Sequence, residues 1–228
     1  VFHKDGIISQ FEGYDQLLEF DWVEYRKKYG DIQRLDRILE AEGDTPNRYK
    51  ASKQADVLML FYLFSAEELQ ELFSLMGYDF DPQSIPKNIE YYLKRSSHGS
   101  TLSNIVHSWV LSRSDRLRSW NLFQKALESD VSDIQGGTTH EGIHLGAMAG
   151  TVDILKRCYT GLEFKDDILL FNPNIPRGLK KLSMRIKYRG NWFDIVATPK
   201  SLKIASSESE LRATKISIHN QIYQLNPG

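Results

Sequence analysis

The chain is poor in cysteine, in excess charge of either sign and in long apolar runs. Its single cysteine, Cys158, excludes an internal disulfide and is typical of a reducing compartment, so we predict a cytoplasmic protein. The 29 basic and 30 acidic residues leave a net charge of −1, which gives no electrostatic reason to expect nucleic acid or an anionic membrane as a partner. No apolar run approaches the roughly 20 residues that a membrane span needs. What remains is a globular chain of one large or two modest domains.

The chain also lacks an initiating methionine, and its first residues resemble the interior of a protein. We therefore expect it to be the C-terminal piece of a longer polypeptide.

Helical patterns dominate the first 165 residues. A polar-to-apolar run predicts a helix over 51–61, with capping chemistry supplied by Asp44, Thr45 and Pro46. Ser65 and Glu68 have the spacing of a capping box, and that helix is expected to stop near Gly77. Further helices are predicted at about 84–95, 101–112, 115–128 and 142–158.

Strand patterns replace the helical ones after about residue 166. Residues 182–188 alternate apolar and polar side chains, Gly190 and Asn191 follow, and 192–197 continue as a second strand, which together indicate a hairpin. Residues 168–171, 202–204 and 215–218 are further strand candidates. The sequence thus predicts a mainly α protein with a C-terminal β part, divided into residues 1–165 and a small antiparallel β domain over 166–228.

Residues 136–151 are unusually rich in glycine, with two histidines and a carboxylate among them. Glycine is unfavourable inside a helix, so such a run indicates a place where the backbone comes close to something else. Bare amide groups beside hydroxyls and imidazoles suit a phosphate or a polyhydroxylated ligand.

Four blocks, taken in order, resemble the family 65 glycoside hydrolases, whose members include maltose, trehalose and kojibiose phosphorylases. The blocks are Gln-Phe-Glu-Gly-Tyr at 10–14, Lys-Gln-Ala-Asp-Val at 53–57, His-Gly-Ser-Thr-Leu-Ser at 98–103, and the segment 141–151. The resemblance implies that residues 1–165 are the closing helices of an (α/α)6 barrel and that a small antiparallel β-sandwich-like domain follows. It covers about the last third of a typical member.

The resemblance implies a phosphate site at the third block. It assigns phosphate contacts to His98, Gly99, Ser100 and Thr101, with His144 opposite them. The block precedes an apolar helix, whose N-terminus would favour an anion. The alternative from the residues alone is an ordinary N-cap at Ser100 or Thr101 and a loop residue at His98.

The resemblance also assigns substrate contacts to Lys53 and Gln54, and a weaker one to Glu12. For Lys53 and Gln54 the alternative is a solvent-exposed first helical turn, and for Glu12 an ion pair at the edge of the core. His107 and Trp109 are interpreted as residues that pack behind the phosphate loop.

The chemistry implied is that of an inverting phosphorylase, in which phosphate attacks the anomeric carbon while a carboxylic acid protonates the leaving oxygen. The family's general acid is a glutamate about a hundred residues before the Lys-Gln block, so no catalytic residue is expected in this chain and the isolated chain is predicted to be inactive. No cofactor is expected besides phosphate as co-substrate. The alternative is a hydrolase on the same fold, of trehalase or maltose hydrolase type, which needs a carboxylate base where phosphate would bind.

Two other interpretations are weaker, and a third, a bracing role for the β part, is compatible with the enzyme. Residues 140–144 match the His-Glu-x-x-His pattern of zinc peptidases, but the glycines around the motif disfavour the helix that zinc binding needs. A carbohydrate-binding module would need an exposed aromatic strip, whereas Trp192 and Phe193 are predicted on opposite faces of one strand. Residues 166–228 fit a bracing role, with a homodimer interface as a compatible function.

Overall fold

The computed structural model describes residues 2–112, 114–133, 140, 142–207 and 213–225. They fall into two compact units, residues 1–148 and 149–228. Within the described ranges, no helix combines the length and the apolar composition needed to cross a membrane. The boundary predicted after residue 165 stays a prediction. It falls between the strands Glu163–Lys165 and Ile168–Phe171, which pair with each other.

The first unit is built from helices joined by short loops, as its 3.6-residue patterns predict. Short 3₁₀ turns lie at Tyr14–Gln16, Pro46–Arg48 and Pro82–Ser84. The α-helices are α1 (Trp22–Tyr29), α2 (Leu35–Ala41), α3 (Val57–Leu63), α4 (Ala66–Leu75), α5 (Ile85–Leu93), α6 (Thr101–Leu111), α7 (Arg116–Glu128) and α8 (Leu145–Asp153).

Local capping chemistry sets several helix starts. The predicted capping box is confirmed: the Ser65 hydroxyl accepts from the Glu68 amide at 3.2 Å, and the Ser65 amide donates to the Glu68 carboxylate at 2.8 Å. Asp115 in the same way accepts from the Arg118 amide at 3.0 Å and starts α7. Each such cap is worth about 1 kcal/mol.

The helix predicted over 51–61 is wrong at its start, because α3 begins only at Val57. The preceding residues form bends and a turn, and Ser52 forms an isolated parallel bridge with Ser96. Thr45 does act as a cap, but for the 3₁₀ turn Pro46–Arg48 rather than for α3. Pairing with a distant segment has overridden the local helical pattern.

The core of the first unit lies where α3, α5 and α6 meet the N-terminal segment. Leu58, Tyr92 and Val106 are fully buried there. The N-terminal segment is held by α5, because the Ile8 amide donates to the buried Asn88 side chain at 2.8 Å and the Tyr92 hydroxyl donates to the Ile8 carbonyl.

The described residues of the second unit form a π-helical segment, Ile154–Tyr159, and seven strands in two sheets. One sheet has the order β1-β2-β6-β7 and the other β3-β4-β5. The strands are β1 (Glu163–Lys165), β2 (Ile168–Phe171), β3 (Leu182–Tyr188), β4 (Asn191–Thr198), β5 (Ser201–Ser207), β6 (Thr214–Ile218) and β7 (Gln221–Leu225).

The predicted hairpin is confirmed, with its turn one residue earlier than predicted because Asn191 already belongs to β4. The expectation of a wholly antiparallel domain is wrong. Strands β3 and β4 pair across Arg189 and Gly190, whose φ angles of 52° and 88° fit a type I′ turn. Strands β2 and β6 pair in parallel. They are separated in sequence by the whole β3-β4-β5 sheet, so no tight turn forces them to run in opposite directions.

The two sheets of the second unit share one apolar core. Leu169 and Ile216 come from the four-stranded sheet, and Phe193 and Ile195 from the three-stranded one. Phe193 is fully buried and Trp192 is 37% exposed, so their predicted placement on opposite faces is confirmed. The arrangement is sandwich-like, with mixed rather than purely antiparallel pairing.

Candidate functional site

The bridge between Ser52 and Ser96 brings together the loops before α3 and α6. The Ser52 amide donates to the Arg95 carbonyl at 3.0 Å, and the Ser97 amide donates to the Ser52 carbonyl at 2.9 Å. Two segments more than forty residues apart therefore run side by side for a short distance. The predicted substrate and phosphate blocks lie on these two segments.

The two blocks touch directly. The Ser100 hydroxyl donates to the Gln54 side-chain oxygen at 3.3 Å. Ser100 occupies the N-cap position of α6, yet its side chain makes no capping hydrogen bond. The interpretation of Ser100 as an ordinary N-cap is therefore wrong as regards its side chain, which links the two blocks instead.

Gly99 makes this approach possible. A Cβ at this position would lie 2.2 Å from the Gln33 carbonyl oxygen and 3.2 Å from Cγ of Lys53. The same Gln33 carbonyl accepts a hydrogen bond from the Ser97 hydroxyl at 3.2 Å. Only a residue without a side chain fits between the Gln33 backbone and Lys53.

Lys53 forms an ion pair with Asp36, at 2.7 Å between Nζ and Oδ2. Partial burial disfavours ionisation of Asp36, but the hydrogen bond and the charge of Lys53 outweigh it and hold the pKa of the carboxyl below its usual range. A cavity of about 210 Å³ borders Asp36, Lys53 and Ser97. The charge of Lys53 is thus balanced by Asp36, and the side chain is held in place beside this cavity.

His98 is held by a second histidine and a serine. Its Nδ1 lies 3.0 Å from the Ser103 hydroxyl and 3.0 Å from Nδ1 of His107, and the Ser103 hydroxyl lies 3.1 Å from Nδ1 of His107. Ser103 and His107 are four residues apart on α6 and therefore share one face of the helix. The backbone at His98 is left-handed, with φ of 58°.

Both imidazoles are neutral at physiological pH. Burial lowers the pKa of His98 to about 4, with a further contribution from the positive charges of Arg118, Lys125 and Arg26. Burial likewise lowers the pKa of His107 to about 3, assisted by His98 and Arg118. A neutral imidazole has one N–H donor and one acceptor nitrogen, so the ring can be aligned by one atom and present the other.

Two family models match consecutive parts of the chain. The glycosyl hydrolase family 65 central catalytic domain matches residues 1–153, and the glycosyl hydrolase family 65 C-terminal domain matches residues 162–225. The chain belongs to glycosyl hydrolase family 65.

Relatives in family 65 align along the whole of this chain. An uncharacterized glycosyl hydrolase of Mycobacterium tuberculosis is 49% identical over 100% of this chain and 17% of its own length. Trehalose 6-phosphate phosphorylase of Lactococcus lactis is 35% identical over 99% of this chain and 29% of its own. The chain thus spans less than a third of these relatives.

A solved structure shares the fold. It is described as "Putative kojibiose phosphorylase from human microbiome", and it superposes with a TM-score of 0.74 at 23% identity, covering 99% of this chain and 31% of that one.

The other predicted site residues lie as follows. Thr101 is the first residue of α6 and is 8% exposed. His144 is bound by Asp130, which lies 2.5 Å from its Nδ1 and accepts its backbone N–H at 3.0 Å. That bond also lowers the pKa of Asp130. Glu12 lies in an exposed turn before the 3₁₀ turn Tyr14–Gln16, and its neighbour Gln10 accepts the Val57 amide at 3.2 Å.

Several contributing residues carried no role in the sequence interpretation. Asp36 forms an ion pair with Lys53, and the Ser103 hydroxyl lies within hydrogen-bond distance of His98. The backbone of Gln33 packs against Gly99. The four-residue spacing of Ser103 and His107 is a signal that sequence could have supplied, whereas nothing in the sequence joins Gln33 to Gly99. His107 is fully buried behind His98, as predicted.

Part of the glycine-rich stretch falls outside the residues that the structure describes. Residues 134–139 and Glu141 lie beyond the described ranges, and they include Gly136, Gly137 and the central glutamate of the zinc-like pattern. Among the side chains that the structure describes, no group of three or more His, Cys, Asp or Glu could hold a metal ion.

We expect the protein to lose stability on mild acidification because of the histidine pair. The pKa values of His98 and His107 lie below the ordinary 6.5 of an unfolded chain, so the unfolded state binds more protons between pH 6.5 and about 4. The free energy of unfolding therefore falls as the pH drops through this window, by up to about 1.4 kcal/mol per pH unit for each ring. Thermal unfolding midpoints measured at pH 6.5, 5.5 and 5.0 test this.

The variant His107→Gln removes one of the two titrating rings and is expected to flatten this dependence. The carboxylates with lowered pKa values, such as Glu42 at about 2, contribute stability that is lost only below about pH 4.5, outside the measured range. An equally steep dependence in His107→Gln would refute the assignment.

Proposed function

We propose that this chain is the C-terminal portion of an inverting disaccharide phosphorylase, which cleaves an α-linked glucose disaccharide with inorganic phosphate to β-glucose 1-phosphate and glucose. The observation that carries the proposal is the contact between Ser100 and Gln54, which joins the block assigned to phosphate to the block assigned to substrate. The neutral His98 lies beside them, next to Ser103 and His107.

In the proposed reaction, a phosphate oxygen forms a bond to the anomeric carbon as the bond from that carbon to the glycosidic oxygen breaks. The proton for the leaving oxygen comes from a glutamic acid in the part of the enzyme that precedes this chain. His98, Gly99, Ser100 and Thr101 bind the attacking phosphate through ring, backbone and hydroxyl donors. His144, oriented by Asp130, completes the phosphate site from the other side.

Lys53 and Gln54 bind the hydroxyls of the sugar in this proposal. Asp36 keeps Lys53 in place through the 2.7 Å ion pair. Glu12 is a weaker substrate contact, reached from its exposed turn. The helices of residues 1–153 would be the closing helices of an (α/α)6 barrel, with residues 162–225 bracing it. A homodimer, a cytoplasmic location and the inactivity of the isolated chain remain predictions.

The local charges favour phosphorolysis over hydrolysis. A hydrolase needs a carboxylate that accepts a proton from water, and Asp36 is the carboxylate beside Lys53 and the 210 Å³ cavity. Its ion pair lowers its pKa, which makes it a poor base. Phosphate arrives already ionised and needs no such base.

The test uses the full-length protein that carries this chain. We expect trehalose, maltose, kojibiose or trehalose 6-phosphate to yield β-glucose 1-phosphate only when inorganic phosphate is present, with the anomer assigned by NMR. Free glucose released at the same rate without phosphate would establish the hydrolase instead. The purified 228-residue chain serves as the control and should give no product, since in this proposal the acid lies outside it.

A further inference from the structure

A second cavity, of about 360 Å³, shares His98 with the phosphate block in its lining. Its lining comes from α1 (Trp22 and Arg26), the end of α5 (Leu93 and Lys94), the loop residue His98 and the first turn of α7 (Arg118). The volume is at the lower end of the range for small-molecule sites. It is larger than the space that borders Asp36, Lys53 and Ser97.

The charge of this cavity is positive. Three of its six lining residues are Arg26, Lys94 and Arg118, and none is a carboxylate. Among the residues that the structure describes, neither Arg26 nor Arg118 has an acidic partner within 4 Å, in contrast to Lys53 with its bond to Asp36. Lys94 pairs with Glu90 at 3.3 Å, but both side chains are more than half exposed, so this pair neutralises little.

The positive charges also act on His98, which lines the cavity. Arg118 and Arg26 are among the charges that disfavour protonation of His98. A cleft lined by one sign of charge concentrates counter-ions, so this cleft favours an anion. Arginine is the side chain best suited to phosphate, which it binds through two parallel N–H donors.

The cavity also offers an apolar wall. Trp22 is half-buried and lies four residues before Arg26 on the same face of α1, with the guanidinium 5.9 Å from the ring centre. Leu93 is buried beside it. An inorganic phosphate would use the cations but leave this wall uncovered, whereas a sugar ring attached to the phosphate would cover it.

We propose that this cavity binds the phosphate group of a sugar phosphate monoester, with Arg26 and Arg118 on the phosphate and Trp22 against the sugar ring. The site lies next to the phosphate block but is lined by different residues, apart from His98. This inference rests on the proposed function for its link to catalysis: the disaccharide that the enzyme cleaves would itself be phosphorylated. The name of the Lactococcus lactis relative, trehalose 6-phosphate phosphorylase, is consistent with such a substrate.

The test measures binding rather than turnover, so that it does not depend on phosphorolysis. Isothermal titration of the full-length protein uses glucose 6-phosphate, glucose and inorganic phosphate as separate probes. We expect Arg26→Gln and Arg118→Gln each to raise the Kd for glucose 6-phosphate about tenfold or more, the usual effect of losing a charge-assisted hydrogen bond. Trp22→Ala should raise the Kd for glucose 6-phosphate and leave the Kd for inorganic phosphate unchanged.

The matched controls are Lys27→Gln on α1 and Arg116→Gln on α7. Both side chains are exposed cations on the same helices and do not line the cavity. They should leave the Kd for glucose 6-phosphate within about twofold, because they do not line the cavity and exposed charges interact only weakly through water. All the exchanged arginines and lysines are exposed, so the fold should tolerate each change.

Two outcomes would overturn the proposal. One is an unchanged Kd for glucose 6-phosphate in both arginine variants. The other is a loss of affinity for inorganic phosphate alone, which would mean that the cavity holds the co-substrate. Binding that behaves as expected in an enzyme without phosphorolysis would support the site while refuting the proposed function.

Discussion

Replacing Gly99 with alanine is expected to reduce kcat/KM for phosphorolysis about 100-fold and to lower the free energy of unfolding by about 2–3 kcal/mol. The added Cβ would lie 2.2 Å from the backbone oxygen of Gln33. A backbone atom cannot rotate away as a side chain can, so the loop itself must shift. That shift separates Ser100 from Gln54 and displaces Lys53, the residues on which the proposed site depends. The measurement combines steady-state kinetics and urea unfolding of the full-length enzyme.

The matched control is Gly146→Ala. Gly146 is exposed in the first turn of α8, and a Cβ added there would meet no atom within 4 Å beyond the backbone of its own helix. Alanine at this position should stabilise the helix by about 0.5–1 kcal/mol, in contrast to the destabilisation expected of Gly99→Ala. Wild-type kinetics in Gly99→Ala would show that the close packing at Gln33 does not position the site.

Replacing His98 with asparagine is expected to lower kcat/KM by about 100-fold, seen chiefly as a higher KM for phosphate. Asparagine tolerates the left-handed backbone at φ 58° better than most residues, so the loop should keep its path. The shorter amide cannot reproduce the imidazole, whose Nδ1 lies 3.0 Å from both the Ser103 hydroxyl and Nδ1 of His107.

His219→Asn makes the same exchange at a second left-handed position. Its φ is 48°, and the side chain is exposed in the turn between β6 and β7. This control should match the wild-type enzyme in both kcat/KM and stability. A His98→Asn enzyme with an unchanged KM for phosphate would exclude His98 from the phosphate site.

Short-range features were predictable because neighbouring residues determine them. The capping box of Ser65 and Glu68 needs only residues three apart, and the hairpin at Arg189 and Gly190 needs only a turn that accepts two positive φ angles. Membership in family 65 was predictable for a related reason. The order of four short blocks is a property of the chain itself and does not depend on how the chain folds.

Long-range pairing was decided by the tertiary structure. The pattern of 51–61 is typical of one helix, yet Ser52 bridges to Ser96 and the helix begins only at Val57. The parallel pairing of β2 with β6 likewise depends on a chain path that crosses another sheet. Such contacts compete with local propensities worth less than about 1 kcal/mol per residue, so burial and hydrogen bonds gained at a distance override them.

The sequence by itself determined the residue types of the site and their order along the chain. It identified Lys53, Gln54 and the block at 98–101, and it placed His107 behind them. Only the tertiary structure decided that Ser100 meets Gln54, that Gly99 lies against Gln33, and that cations from α1 and α7 border one cavity. These distances depend on how separate helices pack, and packing is set by the sum of many weak contacts across the whole core rather than by any segment alone.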